Sequence, residues 1–301
     1  MVDWATDPLQ FEFFRRALWE VMLLGFLCGV VGSFVVLRGL AFIGDALAHA
    51  VFPGVVIAFL LSKSFFLGGI VFGLLTSLLV AVLSRNKRIS EDTAIGVLFA
   101  GMFALGIVLI SSTSTYTRDL SSLLIGNVLG ISDNDLLITL VTAIVVLALI
   151  AAFYKELQLA SFDPVSAAAM GYPTFALELL LLGLITVTIV VSIQAVGTIL
   201  VLAFLVTPAA TAHLLVDRLL SMMVLGGAIG AVNGVIGLFV SYHFDVAGGG
   251  SIVLVTTAVF FLVFALSPQH GLLARYLRRD LHGPVKDDWM APGAPRPAGG
   301  A

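Results

Sequence analysis

Asp45 and His49 stand four residues apart in Phe42-Ile-Gly-Asp-Ala-Leu-Ala-His-Ala-Val-Phe-Pro-Gly54, a stretch otherwise made of apolar and small residues. On a helix, positions i and i+4 share a face, with Cβ atoms about 5–6 Å apart. One carboxylate oxygen and one ring nitrogen can then hold the same metal ion. That donor pair suits manganese, iron or zinc, whereas a thiolate-rich set favours softer ions. Two ligands do not close a coordination shell. The rest must come from another span, a second copy of the chain, backbone carbonyls or water, and an incomplete shell suits an ion that has to leave again. The plainer alternative is an Asp–His hydrogen bond that only braces the helix. At membrane depth ionisable groups are expensive and face cavities or partners, which favours metal contact.

Other residues with chemical potential lie nearer the ends of apolar runs. Glu91 and Asp92 follow the basic run Arg85-Asn-Lys-Arg88, where Ser90 or Asp92 can cap a helix and acids complement its dipole. The same acids are placed to stage an exiting cation. His213 and Asp217 form a second i, i+4 pair, equally readable as a packed helix-end histidine. Asp245, with Asp119, Asp133 and Asp135, sits in stretches expected outside, where acidic loops are common. Pro53 and Pro208 interrupt apolar runs. Proline removes a backbone donor and frees a carbonyl, and broken spans often mark a transport path; a packing kink is the alternative.

The elements that must position these residues follow from composition. The 301 residues are 60% hydrophobic and 11% charged, against about 25% charged in an average soluble domain. This predicts an all-α, polytopic membrane helical bundle. Crossing a bilayer takes about 20 apolar residues, which gives nine spans, at roughly 16–37, 40–61, 64–83, 93–110, 134–154, 174–193, 196–216, 219–243 and 247–267. The count becomes eight if 40–61 is re-entrant. Residues 1–15 read as an interfacial lead-in, with Phe11, Phe13 and Phe14 at the boundary, and 280–301 as a disordered tail. The start carries three acids and no base before Arg15, unlike a cleavable signal peptide. With nine spans and the carboxyl terminus inside, 11 of the 15 Lys and Arg fall on the cytoplasmic side, as the positive-inside rule requires. Glycines at 25, 29 and 32, and at 226, 227, 230, 234 and 237, recur at spacings that allow close helix approach. Between spans, Asp163 is placed as an N-cap, Pro164 at the first helical position and Gly171 as a stop. They define a short cytoplasmic helix suited to docking a partner. The single Cys28 cannot form an intrachain disulfide and leaves the redox compartment open.

Several functions are disfavoured. The chain has no G-x-x-x-x-G-K-[ST] loop for nucleotide phosphates, no H-E-x-x-H, no C-x-x-C and no G-x-S-x-G elbow. Asp45 lacks a clear second aspartate at membrane depth for an aspartyl protease. A membrane permease is the main reading. A self-contained transporter coupled to protons through Asp45 and His49 is the rival.

Taken together, the sequence resembles the integral-membrane permeases of metal-ion ABC transporters, which import manganese, zinc and iron. The resemblance rests on Gly44–Ala50 with Pro53-Gly54, Glu91–Gly96, Asp119-Leu120 with Gly126 and Gly130, Phe162–Gly171, Val206–Ala212, and Asp245 with Ser251–Leu254. It implies a homodimer in a prokaryotic cell membrane, with ATPase subunits bound inside and a metal-delivering binding protein outside. It further implies that the ATPase grips the 162–171 helix through Phe162, Asp163, Pro164 and Gly171. Asp45 and His49 would contact the transported ion, with no permanently bound cofactor and no nucleic acid involved. The His-Ala-Val-Phe-Pro-Gly and Glu-Asp-Thr-Ala-Ile-Gly variants look more like manganese or iron members than zinc members. Near Asp245 the chain departs from the family: Ala247-Gly248-Gly249 replaces the usual Pro-Ser/Ala-Gly turn.

Overall fold

Backbone groups inside a bilayer have no water to bond, so apolar runs of this length satisfy their amides internally as helices. The computed structural model describes residues 7–86, 88–111 and 130–267, and among these every regular element is helical. After a short 3-10 turn at Pro8–Gln10 come α1 (Glu12–Leu37), α2 (Ile43–Ala50), α3 (Phe52–Leu60), α4 (Phe65–Ser84) and α5 (Glu91–Ser111). They are followed by α6 (Asp133–Ala152), α7 (Tyr154–Phe162), α8 (Pro164–Ala169), α9 (Thr174–Val196), α10 (Thr198–His213), α11 (Leu219–Phe244) and α12 (Gly248–Leu266).

Eight described segments are long and apolar enough to cross a membrane, counting α2 and α3 together as Ile43–Leu60. The seventh expected span, 196–216, is α10, which has only 16 residues. At 1.5 Å per residue it reaches about 24 Å, short of a hydrocarbon core about 30 Å thick. Gly197, with φ of 81°, takes the turn between α9 and α10, so two buried helices meet there with almost no loop.

The centre of the bundle is α1, held against α11 and α10 where glycines remove side chains. A Cβ on Gly25 would come within 2.5 Å of the Gly230 carbonyl oxygen, and one on Gly29 within 2.3 Å of that of Gly226. Gly32 lies against the Leu205 carbonyl of α10 in the same way. These backbones touch. Phe14 is fully buried, edge-on to Phe239 and Tyr242 at 5.2 and 5.4 Å. It therefore belongs to the core, and of the three expected boundary aromatics only Phe11 and Phe13 are exposed. The helix begins at Glu12, inside the expected lead-in. The expected 280–301 tail, Arg118, Asp119 and Gly126 lie outside the described residues.

Candidate metal site and its surroundings

The turn leading into α2 is built by glycine. Gly39 has φ of 72°, its N–H bonds the Val36 carbonyl, and the Leu40 N–H reaches back to Val35 at 3.0 Å. That is a Schellman stop, which satisfies the last carbonyls of α1 and aims the chain into α2 within three residues. Asp45 falls in the first turn of α2 and His49 in its last.

Asp45 Oδ1 and His49 Nε2 are 3.6 Å apart, with side chains 35% and 25% exposed. This is longer than a hydrogen bond, so the two groups are not clasped together. Donors about 2.0–2.2 Å from one ion lie roughly 3–4 Å from each other, and the pair is spaced accordingly. Asp45 also lines an open cavity of about 650 Å³ bounded by α2, α10 and α12, with Leu202, Val206 and Val253 supplying apolar wall. Two hydroxyls, Thr207 and Thr257, lie on the same wall. Hydroxyls are unremarkable in apolar spans, and only Thr207 was marked in the sequence, by its place in Val206–Ala212 beside Pro208. His49 turns instead toward α5, against Phe99 and Phe103.

Pro53 breaks the span as expected. The helix stops at Val51 and restarts as α3 with Pro53 in its first turn, and the missing N–H leaves the His49 carbonyl without its i+4 donor. Pro208 does not: α10 runs through it from Thr198 to His213. Thr211 Oγ1 donates to the Thr207 carbonyl at 2.7 Å, and losing one ladder bond does not end the helix. His213 is the exposed last residue of α10 and Asp217 lies beyond the helix end, so they do not share a helical face. His213 is six residues past Thr207, about 9 Å further along the axis.

The remaining residues sit at two ends of the bundle. Glu91 opens α5 beside Arg38, Glu178 and Asp92, its electrostatic neighbours. The Glu91 Oε1 and Arg38 Nη1 atoms are buried with no hydrogen-bond partner among the described residues. The α5 cap is Ser90, whose Oγ accepts the Thr93 N–H at 3.2 Å; Asp92 is exposed and does not cap. At the opposite end Asp245, with φ of 51°, closes α11 in the left-handed region. Asp163 accepts the Ser166 N–H at 2.9 Å, Pro164 opens α8 and Gly171, with φ of 86°, follows it. The expected short helix is therefore present as α8, with Phe162 outside it and a further helix, α7, directly before it. Phe162 ends α7, the chain breaks at Asp163, and α8 has six residues. Phe162, Val165 and Met170 are 57%, 78% and 67% exposed, an apolar surface on an otherwise polar connection. A carboxyl that the sequence reading passed over, Glu20 of α1, is fully buried and accepts a hydrogen bond from Thr139 Oγ1 at 2.6 Å.

Among the described residues no group of three or more His, Cys, Asp or Glu is placed to hold a metal ion. Asp45 and His49 therefore remain a pair. The sequence profile of the ABC 3 transport family matches residues 10–267. The chain belongs to this family. Among its ABC 3 relatives, the chain is 45% identical over 270 residues to the manganese transport system membrane protein MntC of Halalkalibacterium halodurans, covering 90% of this chain and 92% of that protein. It is 44% identical to the manganese import system permease protein ScaB of Streptococcus gordonii, covering 90% and 95%. The fold matches the structure of PsaBC from Streptococcus pneumoniae in complex with Fab, with a TM-score of 0.81 and 42% identity over 93% of this chain and all of that one.

Proposed function

We propose that this chain is the membrane-spanning permease of an ATP-driven importer of divalent transition-metal ions, with manganese as the first candidate cargo. The observation that carries this is the unclasped Asp45/His49 pair. It sits in the broken α2–α3 span, beside an open cavity, and no third ionisable ligand from the described chain joins it. Half a shell on an open wall is what two copies facing each other need to bind one ion between them and then part. The names of the relatives, manganese transport and import permeases, supply the cargo. The ion is substrate and not a resident cofactor.

In this reading a cytoplasmic ATPase subunit grips the α7–α8 connection, where Phe162, Val165 and Met170 present apolar surface around the Asp163 cap. A metal-binding protein docks at the opposite end, near Asp245. The carboxyl terminus is cytoplasmic, and ATP is hydrolysed by the partner. Glu91, Asp92 and His213 lie at the inner end of the path. Each partner shifts the permease by binding one of its states more tightly than the other.

The test is reconstitution. Liposomes carrying the permease alone should not accumulate Mn²⁺ under a pH gradient, whereas liposomes with the ATPase, binding protein and ATP should. Accumulation by the permease alone would establish the proton-coupled alternative.

A further inference from the structure

His49 lacks the support that usually aims a ligand imidazole. A metal-bound histidine ordinarily donates its second ring N–H to a carboxylate, carbonyl or water, which fixes the tautomer and the ring plane. Here Nδ1 is buried with no hydrogen-bond partner among the described residues, and Asp45 is too distant from Nε2 to take over that role. Two phenyl rings hold the imidazole instead. Phe103 meets it edge-to-face at 5.1 Å and 72°, and Phe99 at 5.6 Å and 64°. Both come from successive turns of α5 and lie nearly parallel, 8° apart with centroids 6.1 Å from each other. They are fixed in turn from the α2–α3 side. Phe42 packs on Phe99 at 6.0 Å and Phe52 on Phe103 at 5.9 Å. Phe52 also fills the space over Gly106, where an added Cβ would come within 2.4 Å of its ring.

We infer that Phe99 and Phe103 are positioning residues for His49, setting its ring plane by packing where metal sites generally use a hydrogen bond. The inference rests on the proposed role of His49 as a metal ligand. Edge-to-face packing constrains the plane of the imidazole and leaves its tautomer free. A shift of α5 against α2 therefore re-aims the ring without breaking a hydrogen bond. With no carboxylate or carbonyl of the described residues on Nδ1 to raise its basicity, His49 is also a weaker ligand than a fully supported histidine. Both properties favour release.

The experiment uses the purified permease–ATPase complex, Mn²⁺ alone as probe, and ¹⁵N-histidine labelling read by pulsed EPR, alongside equilibrium Mn²⁺ binding. Wild type should show nitrogen coupling from His49. Phe103→Leu and Phe99→Leu keep an apolar side chain without the ring. They should retain assembly and melting behaviour, lose the nitrogen coupling, and bind Mn²⁺ about 10–100-fold more weakly, the range found when a ligand's support is removed. Phe103→Tyr keeps the ring and should keep the coupling. Unchanged affinity and full coupling in both leucine variants would overturn the inference, as would equal loss in Phe103→Tyr. If wild type shows no nitrogen coupling, or His49→Ala binds as tightly as wild type, the ligand role itself fails and the inference falls with it.

Discussion

One turn inward from the Arg16–Asp133 ion pair, Glu20 places a carboxyl in the interior of α1 with no exposure to solvent. Thr139 donates to one oxygen, and the other, Oε2, has no partner among the described residues. A buried acceptor stripped of its donor costs about 1–3 kcal/mol, so Thr139→Val should lower the melting temperature of the detergent-purified protein. Glu20→Gln, which can still accept from Thr139, should lower it less. Asp163 behaves differently because it lies in water. The Ser166 side chain first, and then its backbone N–H, hold the Asp163 carboxyl below its ordinary value. A depressed folded value means the cap is intact above the ordinary carboxylate range and is lost only as pH falls through the lowered value. Co-purification of the ATPase should therefore be constant from neutral pH to the carboxylate range and fall below it. Asp163→Asn, which caps without a charge, should flatten that fall, and Asp163→Ala should weaken association at every pH. Asp45 and His49 were legible in the sequence because ionisable groups stand out in an apolar run. Glu20 was equally visible by that logic, but its nearness to Arg16 disguised it as part of the span's edge.

Helix boundaries were legible wherever a start or stop signal stood clear, as at Pro53 and at Asp163-Pro164. They were less so where one residue had to decide. Pro208 reads as a break in sequence, yet the helix passes through it, because one missing donor does not outweigh packing along the whole of α10. The break that matters is Gly197, whose positive φ is invisible without coordinates. Phe162 joined α7 for a similar reason: Asp163 ends one helix while capping the next. The glycine spacings of α1 and α11 correctly foretold close approach, but not which backbones meet. Because Gly29 and Gly226 touch through backbone, which cannot rotate aside, Gly29→Ala should be destabilising by about 1–3 kcal/mol, the usual range for overpacking. Gly101, which has nothing within 4 Å of an added Cβ, should accept alanine without a fall in melting temperature. Thermal unfolding of the two variants side by side checks this.

Across the whole molecule, charges separate by end. Arg38, Arg85, Glu91 and Glu178 gather at one end: Arg85 stands over Phe175 at 4.9 Å, and Ser84 donates to Glu178 at 3.4 Å. At the other, Arg16 is neutralised by Glu12 and Asp133, both at 2.6 Å. The Glu12 partner is one turn away in α1, whereas Asp133 comes from α6, a pairing between distant stretches that the sequence could not show. Nor could it show that Asp45 lines a cavity while His49 turns toward α5, with no third His, Cys, Asp or Glu placed to join them among the described residues, which leaves the rest of the proposed shell to a second copy. The most direct test is equilibrium Mn²⁺ binding to the purified complex containing two permease chains. Shared coordination gives one high-affinity ion per two chains, abolished by Asp45→Ala and by His49→Ala with assembly intact. Unchanged affinity in either variant, or one independent ion per chain, would contradict it.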